Sequence, residues 1–74
     1  MRRYLFPIVV ERDKKGYFAF CPTLQGCYTQ GDTYEEALEN ARDAIALHLR
    51  DRLASGEPIP SSEMVGLTTL EVRV

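Results

Sequence analysis

At 74 residues the chain has room for one domain, and folding at this size removes only about 60% of the surface that the unfolded chain exposes. Nine basic residues against eleven acidic ones give a net charge of −2, which excludes the strongly basic balance of a domain that binds nucleic acid by itself. No stretch has the run of apolar residues that a bilayer-spanning helix demands.

The segment Tyr4-Leu5-Phe6-Pro7-Ile8-Val9-Val10 is rich in aromatic and β-branched residues and reads as a first strand, followed by a charged hairpin turn within Glu11–Gly16. Pro7 removes a ladder donor, which conflicts with a central place for that strand. Tyr17–Cys21 is the predicted return strand, stopped by Pro22. A short third strand is expected over Gly26–Gly31.

The start of a helix is the best specified local feature. Thr33 is the N-cap and Glu36 completes a capping box, while Asp32 and Glu35 add negative charge at the positive end of the helix dipole. From Tyr34 to Leu53, helical spacing places Tyr34, Ala37, Leu38, Ala41, Ala44, Ile45, His48, Leu49 and Leu53 on one arc, with Leu47 projecting away from it. The alanines on that arc let the helix approach the sheet closely. Ser55-Gly56 supplies the stop, and Pro58 and Pro60 prevent resumption. Glu57–Met64 reads as an extended connector and Thr68–Val74 as a fourth strand. The fold class is therefore α+β, a single domain over residues 1–74 in β-β-β-α-β order, with one helix packed on one face of a small sheet.

Both faces of the strands carry apolar groups, and a single helix covers only one. The other face is expected to meet a second subunit, or to lie under the C-terminal tail. A chain this small commonly draws support from disulfides, a metal or self-association. Cys21 and Cys27, without an N-terminal apolar signal segment, point to a reducing cytoplasm and to two small buried hydrophobes rather than a bridge. With His48 the only histidine, the ligand count for zinc is not met. No metal and no cofactor is expected, and self-association remains.

Taken together, the aromatic strand, the hairpin with Gly16-Tyr17, the motif Pro22-x-Leu24-x-Gly26-Cys27, the run Thr29-Gln30-Gly31-Asp32-Thr33-x-Glu35-Glu36-Ala37 and the alanine-rich helix resemble the N-terminal domain of HicB-like antitoxins. The resemblance covers roughly Tyr4 to Leu53. Thr23 and Gln25 stand where family members often read Asp and Pro, at variable places of the connector. The resemblance implies a partial RNase H fold that self-associates to a dimer or tetramer and masks a small HicA-type toxin, a basic mRNA interferase with a catalytic histidine. Family antitoxins commonly continue into a DNA-binding domain. This chain ends at Val74 with Arg2-Arg3 its only basic arm, so direct nucleic-acid binding is not expected of it.

Most of the motif has a structural reading: Pro22 sets the connector, Gly26 and Gly31 permit backbone conformations or close approaches, Cys27 packs inside, and Thr33 with Glu36 caps the helix. His48 has no second histidine, serine or cysteine in a known spacing and reads as a packed or interface residue. A metal-dependent nuclease would need clustered carboxylates. The first strand lacks them, Glu11 lies at the hairpin end, and Glu35, Glu36 and Asp43 are explained by capping or a solvated helix face. The sequence thus predicts a soluble, cytoplasmic, non-enzymatic antitoxin domain, without membrane contact, that neutralises a HicA-like toxin sterically. Glu39, Asp43 and Leu47 on the outer helix face are the candidate partner-binding residues. The alternative is an orphan oligomeric module, distinguished by the absence of a neighbouring frame encoding a small basic protein.

Overall fold

A computed structural model describes residues 3–60 and 66–74. Its elements are β1 (Val9–Asp13), β2 (Gly16–Phe20), β3 (Tyr28–Gly31) and α1 (Tyr34–Ala54), and the strands form one antiparallel sheet in the order β1-β2-β3. The α+β class and the β-β-β-α order match the expectation.

The first strand begins later than its composition suggests. The ladder runs from Val9 opposite Phe20 to Asp13 opposite Gly16, so Glu11, Arg12 and Asp13 are strand residues and only Lys14-Lys15 make the turn. Asp13 Oδ1 accepts from the Lys15 backbone N–H at 2.8 Å, which stabilises that turn. Pro7 lies before the ladder, where its missing N–H costs nothing, and the conflict noted above disappears. Tyr4, Phe6 and Ile8 instead pack against a cluster of Cys21, Leu24, Cys27 and Leu49.

Residues 21–27 fold back on themselves. The Cys21 N–H donates to the Cys27 carbonyl (3.3 Å), the Leu24 N–H to the Cys21 carbonyl (3.2 Å) and the Cys27 N–H to the Leu24 carbonyl (3.4 Å). These bonds satisfy backbone groups that a buried loop would otherwise orphan. They also drive Leu24 into the core, where it is 1% exposed. Gly26 at φ +83° makes the turn that returns the chain to β3, a conformation that costs a side chain about 1–2 kcal/mol.

In register, Val10, Ala19 and Thr29 share the sheet face turned to the helix, while Val9, Phe20 and Tyr28 share the other. Ala19, Ala37 and Ala41 form the contact between sheet and helix, all buried. Small side chains let α1 sit so close that a Cβ on Gly31 would stand 2.5 Å from the Ala37 nitrogen. Thr29 Oγ1 donates to the Ala37 carbonyl (3.3 Å) and Asn40 Nδ2 to the Gln30 carbonyl (2.7 Å), tying β3 to the helix.

Thr33 caps α1 as expected, its hydroxyl accepting from the Glu36 N–H at 3.1 Å. The Glu36 carboxylate reaches back to the Asp32 N–H (3.3 Å), one residue before the cap. At the other end the Gly56 N–H meets the Leu53 carbonyl and the Glu57 N–H the Arg52 carbonyl, the paired bonds of a Schellman motif with Gly56 left-handed.

Two expectations change. Tyr34 and Leu53, placed on the apolar arc, are 47% and 57% exposed. A helix of 21 residues spans about 31 Å whereas five-residue strands span about 17 Å, so both ends of α1 overrun the sheet. Tyr34 keeps one aromatic neighbour, Tyr17, edge-on at 6.2 Å. The fourth strand, Thr68–Val74, is not formed: these residues belong to no ladder and are all exposed. Residue pattern creates only the capacity for a strand, and hydrogen bonding requires a neighbouring strand. Of the predicted connector Glu57–Met64, residues Ser61–Met64 lie outside the described residues, as does Arg2.

Candidate partner-binding surface

Glu39, Asp43 and Leu47 follow one another at i+4 spacing, and the structure sets all three exposed on the solvent side of α1. The Glu39 carboxylate pairs with Arg42 at 3.1 Å, with both side chains mostly exposed. Such a pair contributes about 0–1 kcal/mol and is readily given up to a partner cation.

Leu47, 60% exposed, does more than interrupt an acidic face. It borders a shallow depression of about 240 Å³ with Ala44 and His48 of the helix and Gly26, Cys27 and Tyr28 of the connector and β3. Tyr28, 63% exposed, leads onto the sheet face away from the helix, where its ring stacks on Phe18 at 6.1 Å and lies 5.9 Å from Phe20. Phe18 and Phe20 are themselves 6.1 Å apart. The described tail residues, 66–74, are exposed and do not cover this face. An apolar surface therefore runs from the aromatic triad through Tyr28 to Leu47, with Glu39 and Asp43 continuing it along the helix. Phe18 and Phe20 were legible as apolar residues on one strand face; the addition of Tyr28 and the continuity with Leu47 were not, because only the pairing of β3 with β2 and the packing of α1 beside β3 produce them.

The remaining motif residues act locally. Pro22 is exposed in the connector, while Gly31 accommodates the helix, as does Gly26 the turn. His48 Nε2 accepts from Arg52 Nε at 2.8 Å, and Arg52 NH1 donates to the Pro58 carbonyl at 3.0 Å. The imidazole thus orients an arginine that holds the chain leaving the helix. Among the described residues no three His, Cys, Asp or Glu side chains stand together as a metal site, and no helix is long and apolar enough to cross a membrane.

Cys21 and Cys27 are free thiols, both buried. Burial pushes the Cys27 thiol above its ordinary value, and the nearby Cys21 adds to the rise. A folded-state value above the unfolded one means that the folded chain holds this proton more tightly. The associated stability is complete below about pH 8.5 and is lost as pH rises toward and through the folded value. Urea denaturation at intervals from about pH 7 to about pH 10 should show wild type losing more stability than Cys27→Ala across the thiol range. Equal slopes would show that this thiol does not titrate differently on folding.

The described residues thus form a small α+β domain with an open surface that is apolar on the sheet and acidic along the helix. The chain belongs to the HicB-like antitoxins of bacterial toxin–antitoxin systems, the model of that family matching residues 6–71. A UPF0150 protein of Synechocystis sp. is 40% identical over 63 residues, covering 84% of this chain and 80% of that protein. Antitoxin HicB 1 of Photorhabdus laumondii is 37% identical over 68 residues, covering 90% of this chain but only 44% of that protein. Among solved structures, a HicA3 and HicB3 toxin–antitoxin complex superposes with a TM-score of 0.65 at 28% identity, covering 81% of this chain and 70% of that one.

Proposed function

We propose that this chain neutralises a small HicA-like mRNA interferase by covering it, using the acidic outer face of α1 around Glu39, Asp43 and Leu47. The observation that carries this reading is the continuity of Leu47 with exposed Tyr28, which joins charges suited to a basic toxin to apolar area able to supply binding energy. Acidic residues at the rim steer association, and buried apolar and aromatic anchors set the lifetime of the complex. The likeness to a solved toxin–antitoxin complex supports the same partner class. In this reading residues 1–74 act as one non-enzymatic domain of partial RNase H type in the cytoplasm, and assemble into a dimer or tetramer through Phe18, Phe20 and Tyr28.

The test is co-expression with the small basic protein encoded beside it, following growth and then the mass of any complex by size exclusion with light scattering. Growth arrest by the neighbour alone, rescue by this chain and a stable complex are expected. A harmless neighbour that forms no complex would replace this reading with that of an orphan oligomeric module.

A further inference from the structure

The sheet has two edges, and they differ. At β3 the outward Gln30 carbonyl already accepts from Asn40, and the helix packs alongside. At β1 no backbone bond to the outer edge forms among the described residues, leaving a row of donors and acceptors open to pairing. Beside it, on the helix side, an apolar cavity of about 280 Å³ is lined by Tyr4, Phe6, Ile8, Leu38 and Ile45, with Arg42 at its margin.

The same chain carries an unplaced strand. Glu71 and Arg73 pair side chain to side chain at 2.9 Å across two residues, the spacing at which extended backbone puts side chains on one face. Leu70, Val72 and Val74 then share the opposite face, and they are 78%, 77% and 124% exposed. The Cα radius of gyration, 14.3 Å, exceeds the roughly 11 Å of a compact chain of this length, as a protruding arm requires. Eight residues from Leu67 to Val74 reach about 26 Å when extended, enough to follow all of β1.

We propose that two copies of this chain exchange their C-terminal arms, residues 67–74 of each adding a strand to the β1 edge of the other and lodging Leu70 and Val72 in the cavity beside Ile8, Leu38 and Ile45. The polar face, Thr69, Glu71 and Arg73, then lies with Glu11 on the sheet face away from the helix, at the outer margin of the aromatic triad. Exchange is isologous, so one geometry satisfies both arms and both edges and closes the assembly. This goes beyond the antitoxin reading: it concerns a contact distinct from the helix face and from the aromatic triad, and its test contains no toxin.

Full-length wild type, Glu71→Pro and Leu70→Asp are compared by sedimentation over a dilution series, with hydrogen exchange on the same samples. Proline removes a ladder donor and aspartate blocks the cavity, at positions that touch none of the described core; circular dichroism confirms that both variants fold. Wild type is expected to assemble with slow exchange at the N–H groups of β1 that face away from β2, and both variants to lose one step of assembly, or at least 10-fold in dissociation constant, with fast exchange at those groups. Unchanged assembly in both variants overturns the proposal. So does slow exchange of the outward N–H groups of β1, those that the ladder with β2 leaves open, at dilutions where wild type is monomeric, which would mean that the arm folds back on its own chain. Protection of the arm only after a different protein is added also overturns it.

Discussion

Replacing Gly31 with alanine is expected to cost about 3 kcal/mol or more, a large part of the 5–15 kcal/mol typical of a whole domain. The added Cβ would lie 2.5 Å from the Ala37 nitrogen, 2.9 Å from the Glu36 carbonyl carbon and 3.0 Å from the Ala37 Cα. All three are backbone atoms in the first turn of α1, so no rotamer change relieves the clash and the helix itself must retreat. Retreat would stretch the Thr29–Ala37 and Asn40–Gln30 bonds and open the contact of Ala19 with Ala37 and Ala41. Gly26→Ala is the control: its Cβ meets nothing within 4 Å, and its cost is the backbone strain of about 1–2 kcal/mol alone. Urea denaturation of the three proteins decides the matter. A Gly31→Ala midpoint equal to that of wild type would show that helix and sheet are not held at this separation.

The second large effect concerns the partner. Leu47→Asp combined with Glu39→Lys and Asp43→Lys is expected to weaken toxin binding by about 100-fold or more, since truncating one central apolar anchor alone costs about 2 kcal/mol or more. All three side chains are exposed, so thermal stability should stay close to that of wild type. The kinetics separate the roles. Leu47→Asp should act chiefly on dissociation, and the two charge reversals on association, with a weakened dependence on salt. Titration calorimetry and stopped-flow binding with purified toxin give both quantities. Undiminished affinity in the triple variant would move the toxin contact off this face.

The sites of these two predictions were visible in the sequence to different degrees. Gly31 stands out as a glycine two residues before the cap Thr33, yet nothing local says whether it serves a turn or a close approach. Only the position of α1 over β3, set by Ala37 and Ala41 fitting against Ala19, makes it the latter. Leu47 is legible as an apolar residue off the arc because helical spacing is a local property. Its neighbour Tyr28 lies 19 residues away in the chain, and no periodicity links them.

What the sequence determined by itself is what short-range chemistry controls. The Thr33 hydroxyl and the Gly56 backbone set the two ends of the helix, a charged hairpin within Glu11–Gly16 joined the first two strands, and Pro22 stopped the second, although the third begins at Tyr28 rather than at Gly26. Tertiary structure decided the rest. It began β1 at Val9, because pairing with Phe20 is what turns an extended segment into a strand, and left Tyr4, Phe6 and Ile8 to fill the core around Leu24. It exposed Tyr34 and Leu53, because the helix is longer than the sheet beneath it. And it left Thr68–Val74 unpaired despite its alternating pattern, because a strand is defined by hydrogen bonds to a neighbour, which a single segment's sequence cannot contain.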